Sequence, residues 1–388
     1  MQFKSVIGQD AVKEKLIASV NENRMAHTQL FLGPEGSGAF PLAIAFAQYV
    51  NCHNKQDGDS CGTCPSCIKY QKFAHPDLHF IFPTNTNEKI KKDPKSLLFS
   101  EEWREHLNET KGYADQTQWY EKLAIGNKQG TIYTRDADDV IKILGLKPYE
   151  AEYKVVIIYL AEKLLDQASN KLLKSLEEPP DKTLIILIAE HYEMIIPTIR
   201  SRAQLVKIPR IPDKVMIQAL LQRFPDAVNE PRAEDIVALA QGNWNLALDI
   251  LENSGESEYN FLTFREWMRL CFKPGDYLKL NTLIQELSRL GREKQKGFLT
   301  YGLNVVHSAL LVNQKLEEKL IAGSNEKDYF KNFGPFVNGA NQKEMYQLLN
   351  DAVFHIGRNA NPAILFADLS FRFIDLLKKG RIFAANTK

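Results

Sequence analysis

The sequence predicts an α/β domain built on a parallel sheet, then a small helical unit, then an all-α C-terminal region. Three observations predict this. Apolar runs of the kind buried on both faces alternate with amphipathic stretches over residues 1–208. A glycine-rich turn joins the first apolar run to a helix, the strand, turn and helix unit in which phosphate-binding loops occur. From residue 254 onward nearly every stretch repeats apolar residues at i, i+3, i+4 and i+7.

Each element has its own signal. "DAVKEKLIASVNEN" has helical apolar spacing, and "TQLFLG" is a short buried strand. The loop "FLGPEGSGAF" follows, then "FPLAIAFAQYVN", a helix apolar on most sides that tolerates Pro41 because it falls in the first turn. From about residue 84 to 130 the character changes. "TNTNEKIKKDPK" is polar, and "SEEWREHLNETKGYADQTQWYEK" is charged with scattered aromatics. This segment reads as a solvated, partly helical surface insertion, and its Lys89–Lys95 charge run is only a weak nucleic-acid signal. "DADDVIKILGL" is a helix with acids at its N-terminus, where the dipole favours them. "YKVVIIYL" and "KTLIILIAE" are buried strands. Between them "DQASNKLLKSLEEPP" is a helix with Ala168, Leu172, Leu173 and Leu176 on one side, stopped by Pro179 and Pro180. "PTIRSRAQLVKIPRIP" closes the domain with a short helix and an edge strand. Residues 209–253 form a helical unit too small to fold reliably alone. Beyond it, stretches such as "DYLKLNTLIQELSRL" and "MYQLLNDAVFHIGRN" predict an antiparallel bundle.

Bulk properties exclude several classes. The 388 residues are 44% hydrophobic, so the chain is not disordered as a whole. The formal charge of +1 is too balanced for long-range attraction to nucleic acid or membranes to be its main business. The N-terminus "MQFKSVIGQDAVKEK" has no apolar signal-peptide core, and no run approaches the roughly 18 to 20 apolar residues of a spanning helix. A soluble, cytoplasmic protein without membrane contact is expected.

The loop keeps Gly33, Gly36 and Gly38 but has lost its chemistry. A working phosphate loop follows its last glycine with a lysine for the phosphates and a hydroxyl residue for Mg²⁺. Ala39 and Phe40 stand there instead. The acids that hold magnesium and polarise water normally end a buried strand downstream. At the end of "KVVIIYLAE" stand Tyr159 and Leu160, and Glu162 lies two residues too far on. Two separate sites have lost the same chemistry.

Four of the five cysteines, Cys52, Cys61, Cys64 and Cys67, fall within 16 residues. Thiolates at this spacing can surround one ion tetrahedrally, and Gly62 and Pro65 supply the tight turns. Structural zinc is the expectation and an iron–sulfur cluster the alternative. Two disulfides do not suit a cytoplasmic chain. Four protein ligands leave no open position for catalysis and make His53, His75 and His79 surplus. Cys271, alone in an apolar helical stretch, reads as a small buried hydrophobe.

These features resemble a known family. "VIGQDAV", "HTQLFLGPEGSG", the cysteine cluster, "HPDLHFI", "YKVVIIYLAEKLLDQASNKLLKSLEEPP" and "IIPTIRSRAQ" occur in the order found in bacterial clamp-loader subunits of the AAA+ class. The likeness covers about residues 3–82 and 131–250. The missing lysine and acids point to the delta-prime family of DNA polymerase III. The resemblance implies an AAA+ domain over 1–208 carrying a zinc module at 52–67, a lid at 209–253 and an oligomerising collar at 254–388. It implies a subunit that does not hydrolyse ATP itself. Such a subunit joins the gamma/tau motors and delta through the collar and helps place the sliding clamp on primed DNA. It also implies that Arg202 acts in trans on a neighbour's ATP. The family motif reads Ser-Arg-Cys where this chain has Ser201-Arg202-Ala203, with Arg200 close enough to assist. Taken alone, Arg202 reads as a surface ion pair near a helix end. "GNWNLAL" places Asn245 where motor subunits carry a nucleotide-sensing arginine. An active loader ATPase with an unusual loop, and a zinc-dependent nucleic-acid-binding module, are the competing readings. The absent catalytic residues weigh against the first and the balanced charge against the second.

Overall fold

A computed structural model describes residues 1–126, 128–252, 254–316, 324–358 and 360–386. The chain forms two compact units, Met1–Leu248 and Asp249–Lys388. In chain order the first unit begins with α1 (Asp10–Asn21), β1 (Thr28–Leu32), α2 (Ala39–Val50), α3 (Pro65–Gln71) and β2 (Leu78–Ile81). It continues with α4 (Ser100–Glu109), α5 (Gln116–Leu123), α6 (Thr134–Leu144), β3 (Lys154–Ile158), α7 (Asp166–Glu177) and β4 (Thr183–Ala189). Then come α8 (Pro197–Arg200), β5 (Gln204–Lys207), α9 (Asp213–Arg223), α10 (Glu230–Ala240) and α11 (Trp244–Glu252).

The five strands form one sheet in the order β2-β3-β4-β1-β5, every pair parallel. β3 and β4 are buried along their whole length, as their unbroken Val, Leu and Ile runs require of strands covered on both faces. Side chains alternate between the faces. Phe31, Val155, Ile157, Ile186 and Ile188 pack with α2, while Leu30, Val156, Ile158, Ile185 and Leu187 pack with α6 and α7. Every residue of α2 is buried, which explains a helix apolar on all sides. Ala168, Leu172 and Leu176 of α7 are buried as the periodicity predicts, and Leu173 lies half-buried at the margin.

The chain leaves β1 for the far edge of the sheet, whereas it leaves β4 past β1 for β5. The carboxyl ends of β1 and β4 therefore flank the point where the winding reverses, the place where such sheets open a ligand crevice. The glycine loop stands there.

The segment from 84 to 130 corrects an expectation. It is not a solvated excursion. Phe99, Trp103, Leu107, Trp119, Leu123 and Ile125 are buried in the same core as the α2 face of the sheet. Apolar residues worth several kcal/mol of burial outweigh the charged character of the segment. Asp115 is buried, but other charges of the segment lie outside in pairs such as Lys122 with Glu109 at 2.7 Å. β2 also lay outside the sequence expectations as a strand, being four residues long with His79 in its middle.

The second unit comprises α12 (Ser254–Phe272), α13 (Tyr277–Arg289), α14 (Arg292–Asn313), α15 (Ser324–Phe333), α16 (Gln342–Gly357) and α17 (Pro362–Asn386). Its core is its own and includes Phe264, Trp267, Leu287, Phe298, Leu349 and Phe373. Trp267 satisfies its indole N–H by donating to Ser370 Oγ at 2.8 Å. Gly302 lets α14 approach α12, since a Cβ there would lie 2.7 Å from the Phe264 ring. Cys271 is buried, and burial pushes its thiol up to about 12, as an inert core residue requires. Among the described residues no helix is long and apolar enough to cross a membrane.

Candidate functional site

The glycine loop keeps its turn and loses its space. Gly36 and Gly38 have φ of +67° and +88°, which only glycine adopts freely. Gly36 lies so close to Asn243 that a side chain would collide with its amide, and its carbonyl accepts from Trp244 N at 3.1 Å. The start of α11 thus sits on the loop. Phe40, the second residue of α2, is buried beside the loop. Its ring meets Tyr159 and Trp103 edge-on, with centroids 5.4 and 5.7 Å away, and stacks on Phe80 at 6.0 Å. Trp103 packs on Phe82 and Trp119 behind it. Tyr113 and Ala114 close the crevice, and Tyr159 donates to the Ala114 carbonyl at 3.3 Å. The space left is about 20 Å³, room for about one water.

Acidic side chains, Glu35 and Glu190, also line this crevice. Burial pushes the Glu190 carboxyl up to about 7, and the neighbouring charges of Glu162, Glu35 and Asp115 add to the shift. Glu162 accepts the Glu190 backbone N–H at 3.0 Å through Oε1, while its buried Oε2 has no hydrogen-bond partner among the described residues. Asn245 is buried and donates to the Ala114 carbonyl at 3.4 Å, so it braces the segment that fills the crevice. Sequence reasoning missed Glu190, Tyr113 and Ala114. The carboxylate closing the buried run "KTLIILIAE" was a usable signal for Glu190. The other two sit in the segment taken for an insertion.

The four cysteines come together at the start of α3. Their Sγ atoms all lie within 4.8 Å of one another, those of Cys61 and Cys67 being 3.9 Å apart. Tetrahedral ligands about 2.3 Å from a zinc ion stand roughly 3.8 Å from each other, so the donor set fits a metal of that kind. Backbone N–H groups of Cys61, Cys64 and Cys67 point at the sulphurs of Cys52, Cys61 and Cys64, at 3.2, 3.3 and 3.5 Å. Such donors favour thiolates and orient them. Backbone N–H groups of Thr63 and Cys64 lower the Cys61 thiol to about 6. All four cysteines are free, and no disulfide joins them.

Arg202 stands just beyond α8, at the foot of β5. Its Nε donates to Glu177 Oε2 at 2.8 Å, and Nη1 donates to the Thr198 carbonyl at 3.1 Å. The ion pair read from the sequence is therefore present, and it holds the guanidinium at the surface, with its side chain 31% exposed. Arg200 is engaged separately, with Glu193 at 3.4 Å and over the Tyr192 ring. The loop, the cysteine module and Arg202 are three distinct places in the unit.

The family model described as DNA polymerase III, delta subunit matches residues 8–212. This chain belongs to that family. Within it, the chain is 28% identical to the DNA polymerase III subunit delta' of Escherichia coli over 243 residues, which is 60% of this chain and 60% of that protein. It is 26% identical to the delta' of Pseudomonas aeruginosa over 218 residues, 56% of this chain and 53% of that one. It is also 26% identical to the subunit tau of Bacillus subtilis over 257 residues, 65% of this chain but 38% of that protein. The delta-prime resemblance read from the motifs is therefore borne out. The chain spans from about two fifths to three fifths of the length of these relatives.

Proposed function

We propose that this delta-prime family member is a non-hydrolysing subunit of the DNA polymerase III clamp loader and completes the ATP site of a neighbouring motor subunit. The observation that carries the reading is the glycine-loop crevice, filled by Phe40, Tyr159 and Trp103 and lined by carboxylates. Triphosphate is excluded there by volume and by charge. The loop persists because its left-handed glycines join β1 to α2 and seat the start of α11.

Arg202 supplies what the chain lacks at its own loop. A guanidinium delivered in trans stabilises charge on a transferring γ-phosphoryl group, a contribution worth roughly 10³ to 10⁵ in rate. Its planar fork suits phosphate oxygens better than a lysine point charge. Glu177 keeps it extended at the surface until a phosphate replaces that carboxylate. Structural zinc at Cys52, Cys61, Cys64 and Cys67 would lock α3 to the end of α2. Residues 254–388 would serve as the collar that joins gamma/tau and delta, with the clamp and primed DNA engaged by the assembled loader in the cytoplasm.

The test is the DNA- and clamp-stimulated ATPase of the reconstituted loader. With Arg202→Ala, assembly is expected to persist while the ATPase falls about tenfold or more, and the isolated chain is expected to be inert. ATP hydrolysis by the isolated chain would restore the motor reading. An assembled loader indifferent to the substitution would leave Arg202 as a surface ion pair.

A further inference from the structure

A cavity distinct from the glycine-loop crevice lies elsewhere in the first unit. It measures about 520 Å³ and lies along the outer edge of β2, within the range of sites that hold a ligand. Residues from both faces of the sheet line it. Phe80 and Phe82 come from the α4 side, and Ile81 and Ile143 from the α6 side. A cleft walled by both faces must open on the strand's backbone edge.

That edge carries unused hydrogen-bonding groups. Val155 N and Tyr159 N donate to the carbonyls of Asp77 and Ile81. In this parallel register the odd-numbered residues of β2 face β3, and Leu78 and Phe80 face outward. The edge is closed at each end. Leu78 N donates to the His75 carbonyl at 3.0 Å, and the Ser96 hydroxyl both accepts from Phe82 N and donates to Phe82 O. Between these closures the N–H and C=O of Phe80 and the C=O of Leu78 meet no partner among the described residues. An edge in this state is a template for another strand.

The rim fixes the chemistry of what would pair there. Leu97 and Leu146, which line the cleft, are 64% and 70% exposed, far more than isolated core residues. Arg104 and Lys142 also line it, and neither has a carboxylate partner among the described residues. The acid beside them, Asp139, is already neutralised by Lys95 at 2.8 Å. We propose that the cleft is a docking groove in which an extended peptide segment adds to β2, with an apolar side chain between α4 and α6 and a carboxylate on Arg104 and Lys142. Main-chain bonds to Leu78 and Phe80 would supply affinity, and the apolar pocket with its two cations would supply selectivity.

The full-length chain can be titrated with three blocked hexapeptides that alternate aspartate with phenylalanine, aspartate with serine, and lysine with phenylalanine. Amide hydrogen exchange over residues 78–82 is followed in parallel. The aspartate–phenylalanine peptide is expected to bind saturably and to slow exchange at Phe80. Arg104→Glu combined with Lys142→Glu, both at exposed positions, should weaken it about tenfold or more and transfer preference to the lysine–phenylalanine peptide. The melting temperature of that variant should match the parent. Absence of saturable binding to the parent would overturn the proposal. So would equal binding of the aspartate–serine peptide, or binding without slowed exchange at 78–82.

Discussion

Phe40 and Glu190 decide more than any other residues what the loop crevice can hold. Phe40 puts a ring against Tyr159 beside the loop, and Glu190 places a carboxyl among other acids in the crevice. The second choice has a measurable consequence for stability. Glu190 titrates near 7 in the folded chain against 4.5 when unperturbed. Between those values the folded state holds a proton that the unfolded state has released. Stability therefore falls as pH rises through this window. Glu190→Gln keeps the shape and removes the charge. The variant is expected to be more stable than the parent at about pH 8, by roughly 1 to 3 kcal/mol, and nearly equal to it below about pH 5. Urea unfolding at the two pH values measures the difference. A gap independent of pH would show that the carboxyl is not strained by its surroundings.

At the scale of elements, α4 carries the same lesson in packing. Its residues Trp103, His106 and Leu107 fall at i, i+3 and i+4 and are buried, while the rest of "SEEWREHLNE" is charged or polar. The periodic signal was present but diluted, because one narrow apolar stripe suffices when the helix covers only part of a sheet face. The strands β3 and β4 were legible from sequence for the opposite reason, since burial on both faces fills them with apolar residues after the polar first positions, Lys154 and Thr183. β2 was not, because an edge strand needs only one covered flank. Trp103 contacts Phe40, Phe82, Trp119 and Tyr159. Trp103→Ala should destabilise the first unit by about 3 to 5 kcal/mol, read by chemical denaturation. A loss below about 1 kcal/mol would mean that the segment is a detachable cover and that the crevice can open.

For the whole molecule, two separate cores imply two separable transitions. The first unit's core holds the sheet, its helices and the loop, and the second's is built, among the described residues, chiefly from α12 to α17. The change from alternating strands and helices to uninterrupted helical spacing was visible in the sequence, because each pattern follows from how its elements are buried. The cysteine module belongs entirely to the first unit, where Asp59 accepts the backbone N–H of Phe3 at 2.9 Å and Gln48 bonds to Ser60 at 2.9 Å. A metal bound there would tie the N-terminus, α2 and α3 together, and since the unfolded chain lacks the site, binding free energy adds to folding free energy. Scanning calorimetry of the full chain is therefore expected to show two transitions, and stripping the metal with a chelator should lower one by roughly 5 to 10 °C and leave the other in place. Cys64→Ser should do the same without chelator. If both transitions fell together, the two units would not be independent. If neither moved, the sulphurs would hold no structural metal, and the N–H donors around them would serve only the turn.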